Sequence, residues 1–407
     1  MKIGILAHDF INWGGGLDFL RIVTDALLAS PRSEKAELHL LMPDAGPRLR
    51  WRCFRRGLKA ATRKALGAKP LRPEHGPSPT IINQAFAGFQ DRLQIRHLDF
   101  GRRALLRATD RLKLDAVIPA VHTLGLDFPR PWVAYAYDFQ HKYFPQNFPT
   151  EDCRSRDDHF AELLTQARAV VVNSRAAAAD IAKFVPQATA RVFALPLAPA
   201  PDADWFDNRP ELLAQHGVAP PYFVICNQFW AHKDHACAFE AFRLLAGAHP
   251  ALTLICTGST AGARDPQFFP VLMERVKGWG LEKRIRALGL IPKRDQIEIM
   301  KSACAVIQPT LFEGGPGGGA AYDAVALDIP AILSDIPVNR EIAGPAIEFF
   351  PAGDAAGLAR KMESRLATPH RRTSGGELIA AGRRYRAACG EVLWSAIDCV
   401  VSAAGKS

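Results

Sequence analysis

Apolar residues along this chain fall into two kinds of pattern. Some form short, nearly continuous runs: "KIGILAH" (2–8), "AELHLLMPD" (36–44), "AVIPAVH" (116–122), "WVAYAYD" (132–138) and "AVVVNS" (169–174). Others recur every three or four positions, as in "LDFLRIVTDALLAS" (17–30) and "AAAADIAKF" (176–184). A continuous run reads as a strand buried on both faces, and the longer period as a helix with one apolar face. The alternation stops at "VFALPLAPAPDADWFDNRPELLAQHGVAPP", which carries six prolines from Pro196 to Pro221 and reads as a linker. It then resumes. "YFVICNQFW", "LTLICTGS", "IRALGLI", "CAVIQPT", "PAILSD" and "AIEFF" read as strands. "DHACAFEAFRLLAGAH", "FPVLMERVKGWG", "RDQIEIMKSA", "AAYDAVALD" and "PVNREIAG" read as helices between them, and "GEVLWSAIDCVVSAA" as a last helix. The pattern predicts an α/β protein of two doubly wound, Rossmann-like domains, over 1–200 and 201–381, with the carboxyl ends of both sets of strands facing a central cleft.

Composition agrees with two domains. A chain of 407 residues is long for one core, and 48% apolar with 23% charged residues is ordinary for a globular protein. No run of eighteen apolar residues is present, so no spanning helix is expected, and "MKIGILAHDF" reads as a first strand rather than a signal peptide. The eight cysteines include no C-x-x-C pair and read as free thiols of a reducing cytoplasm. The net charge of +10 is concentrated. Between Arg48 and Arg72 stand ten Lys or Arg and no acid, with Trp51, Phe54, Leu58, Ala61 and Ala65 on one helical stripe. This segment is either a solvated face or a peripheral contact with anionic lipid or a phosphate-bearing acceptor. No nucleic-acid module accompanies it, so no nucleic-acid partner is expected.

Two stretches carry candidate chemistry. "TLFEGGPGGGAAYD" (310–323) puts five glycines between Glu313 and Ala320, after a strand and before a helix. Backbone N–H groups at such a junction, with the helix dipole behind them, attract anions, and missing Cβ atoms let a phosphate or sugar ring approach. It is neither a Walker loop nor a G-x-G-x-x-G opening a first βα unit. "NQFWAHKDH" (227–235) opens the second domain's first strand-to-helix loop, where Lys233 reads as an exposed cation suited to a diphosphate. His232 and His235 have the spacing of a metal pair, but no third ligand of clear identity stands near, and no metal is expected.

Taken in order, these stretches resemble the retaining GT-B glycosyltransferases of family four, the "group 1" glycosyltransferases. "VICNQFWAHKDH" is similar to the family's phosphate-binding loop, "ALGLIP" to the loop that reads the base, and "QPTLFEGGPGGGAAYDAVALDIPAILSDIP" to its two-carboxylate signature. "IEFFPAGDAAGLARKM" is similar to its usual ending, and "YAYDFQHKYFP" and "VVVNSRAAAADI" look like first-domain elements. Two departures stand out: Gln228 occupies the place of a phosphate-binding Arg, and Asp323 that of the second Glu, with two extra residues in the glycine loop.

The resemblance implies site residues. Glu313 would accept from donor-sugar hydroxyls, Asp323 would bind the ribose, and Lys233 the diphosphate. Asn227, Gln228, Leu290, Ile291, Gly314, Gly315, Gly317, Gly318 and Gly319 would line the donor site. In the first domain Gly14, Gly15 and Gly16 would bring backbone to the cleft, and His122, Asp138 and His141 would orient the acceptor hydroxyl or the reacting sugar. Residues 382–407 would cross back to the first domain. The implied activity is metal-independent transfer from a nucleotide sugar to a glycan or lipid-linked acceptor in cell-surface polysaccharide or lipopolysaccharide synthesis. It would take place in the cytoplasm or at the inner face of the membrane. The alternative is a non-catalytic relative that binds nucleotide sugar as a scaffold.

Overall fold

The computed structural model describes residues 1–11, 15–43, 82, 85–99, 101–261, 265–344, 346–368 and 370–404. Gly14 and the basic segment 48–72 lie outside them. The first domain holds a seven-stranded sheet in the order β3-β2-β1-β4-β5-β6-β7. Its strands are β1 (Lys2–Leu6), β2 (Glu37–Pro43), β3 (Leu93–Leu98), β4 (Ala116–Ala120), β5 (Trp132–Ala136), β6 (Ala169–Val172) and β7 (Arg191–Ala194). The second holds six, in the order β10-β9-β8-β11-β12-β13. These are β8 (Tyr222–Cys226), β9 (Thr253–Thr257), β10 (Ile285–Ala287), β11 (Val306–Gln308), β12 (Ala331–Ser334) and β13 (Ile347–Phe350). Every pairing is parallel. Both sheets reverse their strand order once, between β1 and β4 and between β8 and β11, and ligands of such sheets bind beyond the carboxyl ends at that reversal.

Strand burial explains the continuous apolar runs. All four residues of β6 and all five of β5 are buried, because helices cover both faces. The longer helices of the first domain are α1 (Gly16–Ala29), α2 (Arg102–Leu112), α3 (Thr150–Gln166) and α4 (Arg175–Phe184). Those of the second are α5 (His235–Ala246), α6 (Phe268–Gly278), α7 (Lys293–Ser302), α8 (Gly318–Ala326) and α9 (Ala355–Ala367). The linker is partly structured: it forms a short helix, Pro210–Gln215, and Trp205 and Phe206 pack against the second core. The helix expected around "PVNREIAG" is only a 3-10 turn, Asn339–Glu341.

The terminal helix α10 (Gly375–Ala404) runs onto α1. A Cβ at Gly390 would lie 2.1 Å from the Ala26 carbonyl, so the two backbones meet there with no room for a side chain. Trp394, 2% exposed, donates from Nε1 to the Leu27 carbonyl at 3.2 Å. Burying an apolar side chain of this size contributes about 2–3 kcal/mol. Glu391 accepts from Ser30 at 2.6 Å, and Asp398 from Arg32 at 2.6 Å. Among the described residues no helix is long and apolar enough to cross a membrane.

Candidate active site

The second domain's order reversal joins two loops. Asn227 follows β8, and the Cβ position of Gly258 after β9 falls 2.2 Å from the Asn227 carbonyl, so the loop is seated directly on its neighbour. Phe229 N–H donates to the Ser259 carbonyl at 3.0 Å. A 3-10 turn, Ala231–Lys233, follows, and Asp234 at φ 46° caps α5 by accepting from Cys237 N–H. The His232 carbonyl accepts from Leu311 N–H at 2.8 Å and from Thr310 Oγ1 at 3.1 Å, which pins this turn to the loop after β11.

That seating brings Lys233 to Glu313. Their Nζ and Oε1 atoms are 2.5 Å apart, with side chains 9% and 10% exposed. Lys233 is therefore not the exposed loop cation that the sequence suggested. Its stem is packed and its charge is held. Gln308 donates from Nε2 to the same Glu313 oxygen at 2.9 Å, and Asn227 donates from Nδ2 to Gln308 Oε1 at 2.6 Å. Asn227, Gln308, Glu313 and Lys233 form one chain across the ends of β8 and β11, and it fixes the carboxylate at the mouth of the cleft.

The glycines of the loop have different reasons. A Cβ on Gly314 would stand 2.7 Å from the Tyr137 carbonyl and 2.9 Å from Asp138 Cβ, and one on Gly315 would stand 3.2 Å from Asn173 Cβ. Both make room for the opposite domain, whose Ser174 hydroxyl donates to the Gly314 carbonyl at 3.2 Å. Gly317, at φ +61°, caps α8 with no side-chain partner, and its N–H donates to Asn339 Oδ1 at 2.9 Å. Gly318, at φ +62°, would place a Cβ 3.3 Å from Glu313 Oε1, whereas Gly319 has nothing within 4 Å. Ligand approach is thus an open reading for Gly318 and Gly319, while packing accounts for the other three.

Asp323 lies on α8, 6% exposed, and forms an ion pair with Lys293, the first residue of α7. Burial lifts its pKa above the usual carboxylate range against the pull of Lys293, and the charges of Asp18 on α1 and Asp202 add to the rise. Lys293 was missed in the sequence, because nothing in "GLIPKRDQ" marks it. Leu290 is 83% exposed, Gln228 is half-buried with its carbonyl on Trp230 N–H, and Ile291 packs at the edge of the core.

Across the cleft, Asp138 Oδ1 accepts from Gln140 N–H at 3.0 Å and stands 3.9 Å from Arg156. Asp138 and Glu313 both line an interdomain cavity of about 400 Å³, together with Tyr143, Lys183, Phe312 and Val338. The Glu341 carboxylate, from the second domain, accepts from the N–H groups of Arg175 and Ala176 at 3.0 and 2.8 Å, and so caps α4 across the domain boundary. His122 is 66% exposed beside His159 and Asp9. The structure places His141 elsewhere: its side chain is 0% exposed, Nε2 lies 2.9 Å from Asp157, and the ring sits among Phe139, Phe148 and Phe160. Burial lowers its pKa even though Asp157 pulls upward. It supports the wall of the cleft without facing it. Gly15 precedes α1, and a Cβ on Gly16 would meet the Phe10 carbonyl at 2.0 Å, so Gly16 is required by packing.

His232 and His235 are both buried, at 7% and 0% exposed. His235 is fully buried and stacks on Phe229 at 4.1 Å. Burial, with the nearby Lys233 charge, lowers its pKa to about 3. Among the described residues no group of three His, Cys, Asp or Glu side chains is placed to hold a metal ion.

Two parallel-sheet, Rossmann-like domains facing a cleft, with the charged network at the second domain's order reversal, define a GT-B fold. Residues 208–378 match the family model for glycosyl transferases group 1. That span is the second domain and its entry; the first domain is placed by fold alone. Similar solved structures include a sucrose-phosphate synthase from Thermosynechococcus elongatus, at 15% identity, 100% of this chain and 98% of the other, TM-score 0.60. Anabaena HepE, solved with UDP and glucose, matches at 15% identity over 100% and 99%, TM-score 0.59. WaaG, a glycosyltransferase involved in lipopolysaccharide biosynthesis, matches at 12% identity over 98% and 99%, TM-score 0.55. No curated protein sequence matches the chain.

Proposed function

We propose that this protein is a retaining glycosyltransferase that moves a sugar from a nucleotide-diphosphate donor to a glycan or lipid-linked acceptor. The observation that carries the reading is the Asn227–Gln308–Glu313–Lys233 network at the order reversal of a domain that matches the group 1 family model. In this reading the bond from the anomeric carbon to the diphosphate oxygen breaks and its electron pair leaves with the diphosphate, while the acceptor hydroxyl oxygen bonds to the same carbon on the same face and gives its proton to the departing diphosphate. Lys233 offsets that growing charge from a nearly dry position, where such stabilisation is largest. Glu313, held by Gln308, accepts from hydroxyls of the transferred sugar. Asp323 accepts from the ribose. The 400 Å³ cavity beyond Glu313 supports an acceptor site there, with Asp138 on its wall. HepE, solved with UDP and glucose, supports trying a uridine donor first.

The test is a calorimetric and turnover screen against UDP-, GDP- and dTDP-sugars, with the Glu313→Gln variant alongside. The expected result is binding of one donor class by both proteins and hydrolysis or transfer by the parent only. Removing a single preorganised polar contact of this kind lowers turnover by about 10²–10³. Binding without turnover in the parent, with every donor and acceptor supplied, would instead establish the non-catalytic scaffold. No binding at all refutes both.

A further inference from the structure

We propose that Lys293 is a second donor-binding cation, which exchanges Asp323 for a phosphate oxygen when a nucleoside diphosphate enters. This rests on the donor-site reading above. The juxtaposition that carries it is a second lysine–carboxylate pair at the same order reversal. Lys233–Glu313 bridges the loops after β8 and β11; Lys293–Asp323 joins the first residue of α7 to the buried face of α8. The pairs are unequal. Lys233 and Glu313 are both nearly buried, whereas in the second pair the acid's side chain is 9% exposed and the lysine's 49%. The acid is therefore fixed by its burial, and the half-exposed lysine is the member of the pair with room to move.

Helix stability does not account for the position. A cation at a helix N-terminus is unfavourable, since the dipole there is positive and acids are preferred. The groups around the amine attract it instead: Asp323 beside it, Asp18 on α1 opposite, and the Trp205 ring at 5.6 Å. A diphosphate entering between these walls meets two carboxylates, Glu313 and Asp323, whose charge repels it. Turning both lysines onto phosphate oxygens removes that repulsion, and both carboxylates then accept from sugar and ribose hydroxyls. Lys293 thereby brings positive charge to the donor site from the start of α7.

The experiment measures affinities of the parent, Lys293→Ala and Lys293→Arg for UDP, GDP and dTDP by calorimetry. Binding of the matching free nucleoside is followed by ligand-observed NMR. For the diphosphate the parent prefers, Lys293→Ala should weaken binding at least tenfold, and Lys293→Arg by only a few-fold. The free nucleoside, which has no phosphates, should change less than twofold. Equal losses for diphosphate and nucleoside would mean that Lys293 merely holds Asp323 in place, and unchanged diphosphate affinity would remove it from the site; either overturns the inference while the donor-site reading stands. If the parent binds none of the three diphosphates, the donor-site reading falls and this inference with it.

Discussion

Replacing Lys233 by Met tests stability and donor binding in one residue. The amine is 9% exposed and its carboxylate partner 10%, so the substitution leaves Glu313 charged, nearly buried and held by Gln308 alone. Breaking a buried ion pair by removing one partner costs about 3–5 kcal/mol. The surviving 2.9 Å bond from Gln308 puts this case near the lower end, at about 3 kcal/mol. Glu313→Ala likewise leaves Lys233 buried without its anion. Removing both charges together leaves neither stranded. The double variant should therefore be more stable than the sum of the single losses allows, by about 2 kcal/mol. Donor affinity should behave differently, because of the two partners in this pair Lys233 is the one that meets the diphosphate. The double variant should regain stability and still fail to bind nucleoside diphosphate. Urea denaturation followed by tryptophan fluorescence gives the four stabilities, and calorimetry gives the affinities. Additive stability losses, within about 0.5 kcal/mol, would refute the buried pair. Recovery of diphosphate binding in the double variant would refute the role given to Lys233.

His235 should make the protein acid-sensitive. Its pKa in the fold is about 3 against an ordinary 6.5, so below pH 6.5 the unfolded chain takes up a proton that the folded chain refuses. Stability is unaffected above that pH and falls by up to about 1.4 kcal/mol per pH unit as the pH drops toward 3. His235→Phe, keeping the stacked ring, should flatten urea midpoints measured from pH 6.5 to 4.5; an unchanged slope would show that other groups dominate. Glu341→Ala should free the Arg175 and Ala176 amides at the start of α4, raising their hydrogen exchange by about tenfold, since hydrogen bonds to a charged acceptor contribute about 1.5–3 kcal/mol. Protection that stays unchanged would mean that the domain boundary is held by other contacts.

How much of this was legible depended on whether a residue's partner was near in sequence. β5 and β6 are buried throughout, so their apolar runs announced them. β3 was missed because it is an edge strand whose "LQIRHL" alternates polar residues with apolar ones. α3 was missed because only Phe160, Leu163 and Leu164 of its seventeen residues are buried, too few to mark a stripe. In the site, Lys233, Glu313 and Asp323 stood out through a motif. Gln308, Lys293 and Glu341 carried no such signal. Their roles come from partners 81, 30 and 166 positions away, which only the folded chain brings close.

The glycine loop shows why sequence alone misassigns such positions. A missing Cβ records that something comes near the backbone, not what it is. At Gly314 and Gly315 the neighbour is the other domain, through Tyr137, Asp138 and Asn173. Those contacts exist only while the two domains stand in this relation, and Ser174 adds a hydrogen bond to the Gly314 carbonyl, one residue from Glu313. The first domain thus presses on the segment that positions the carboxylate. The glycines that looked like room for a ligand are in part room for the other domain. A side chain at Gly314 would be felt first as a change in how the domains meet, and through Glu313 only afterwards as a change in how the sugar is held.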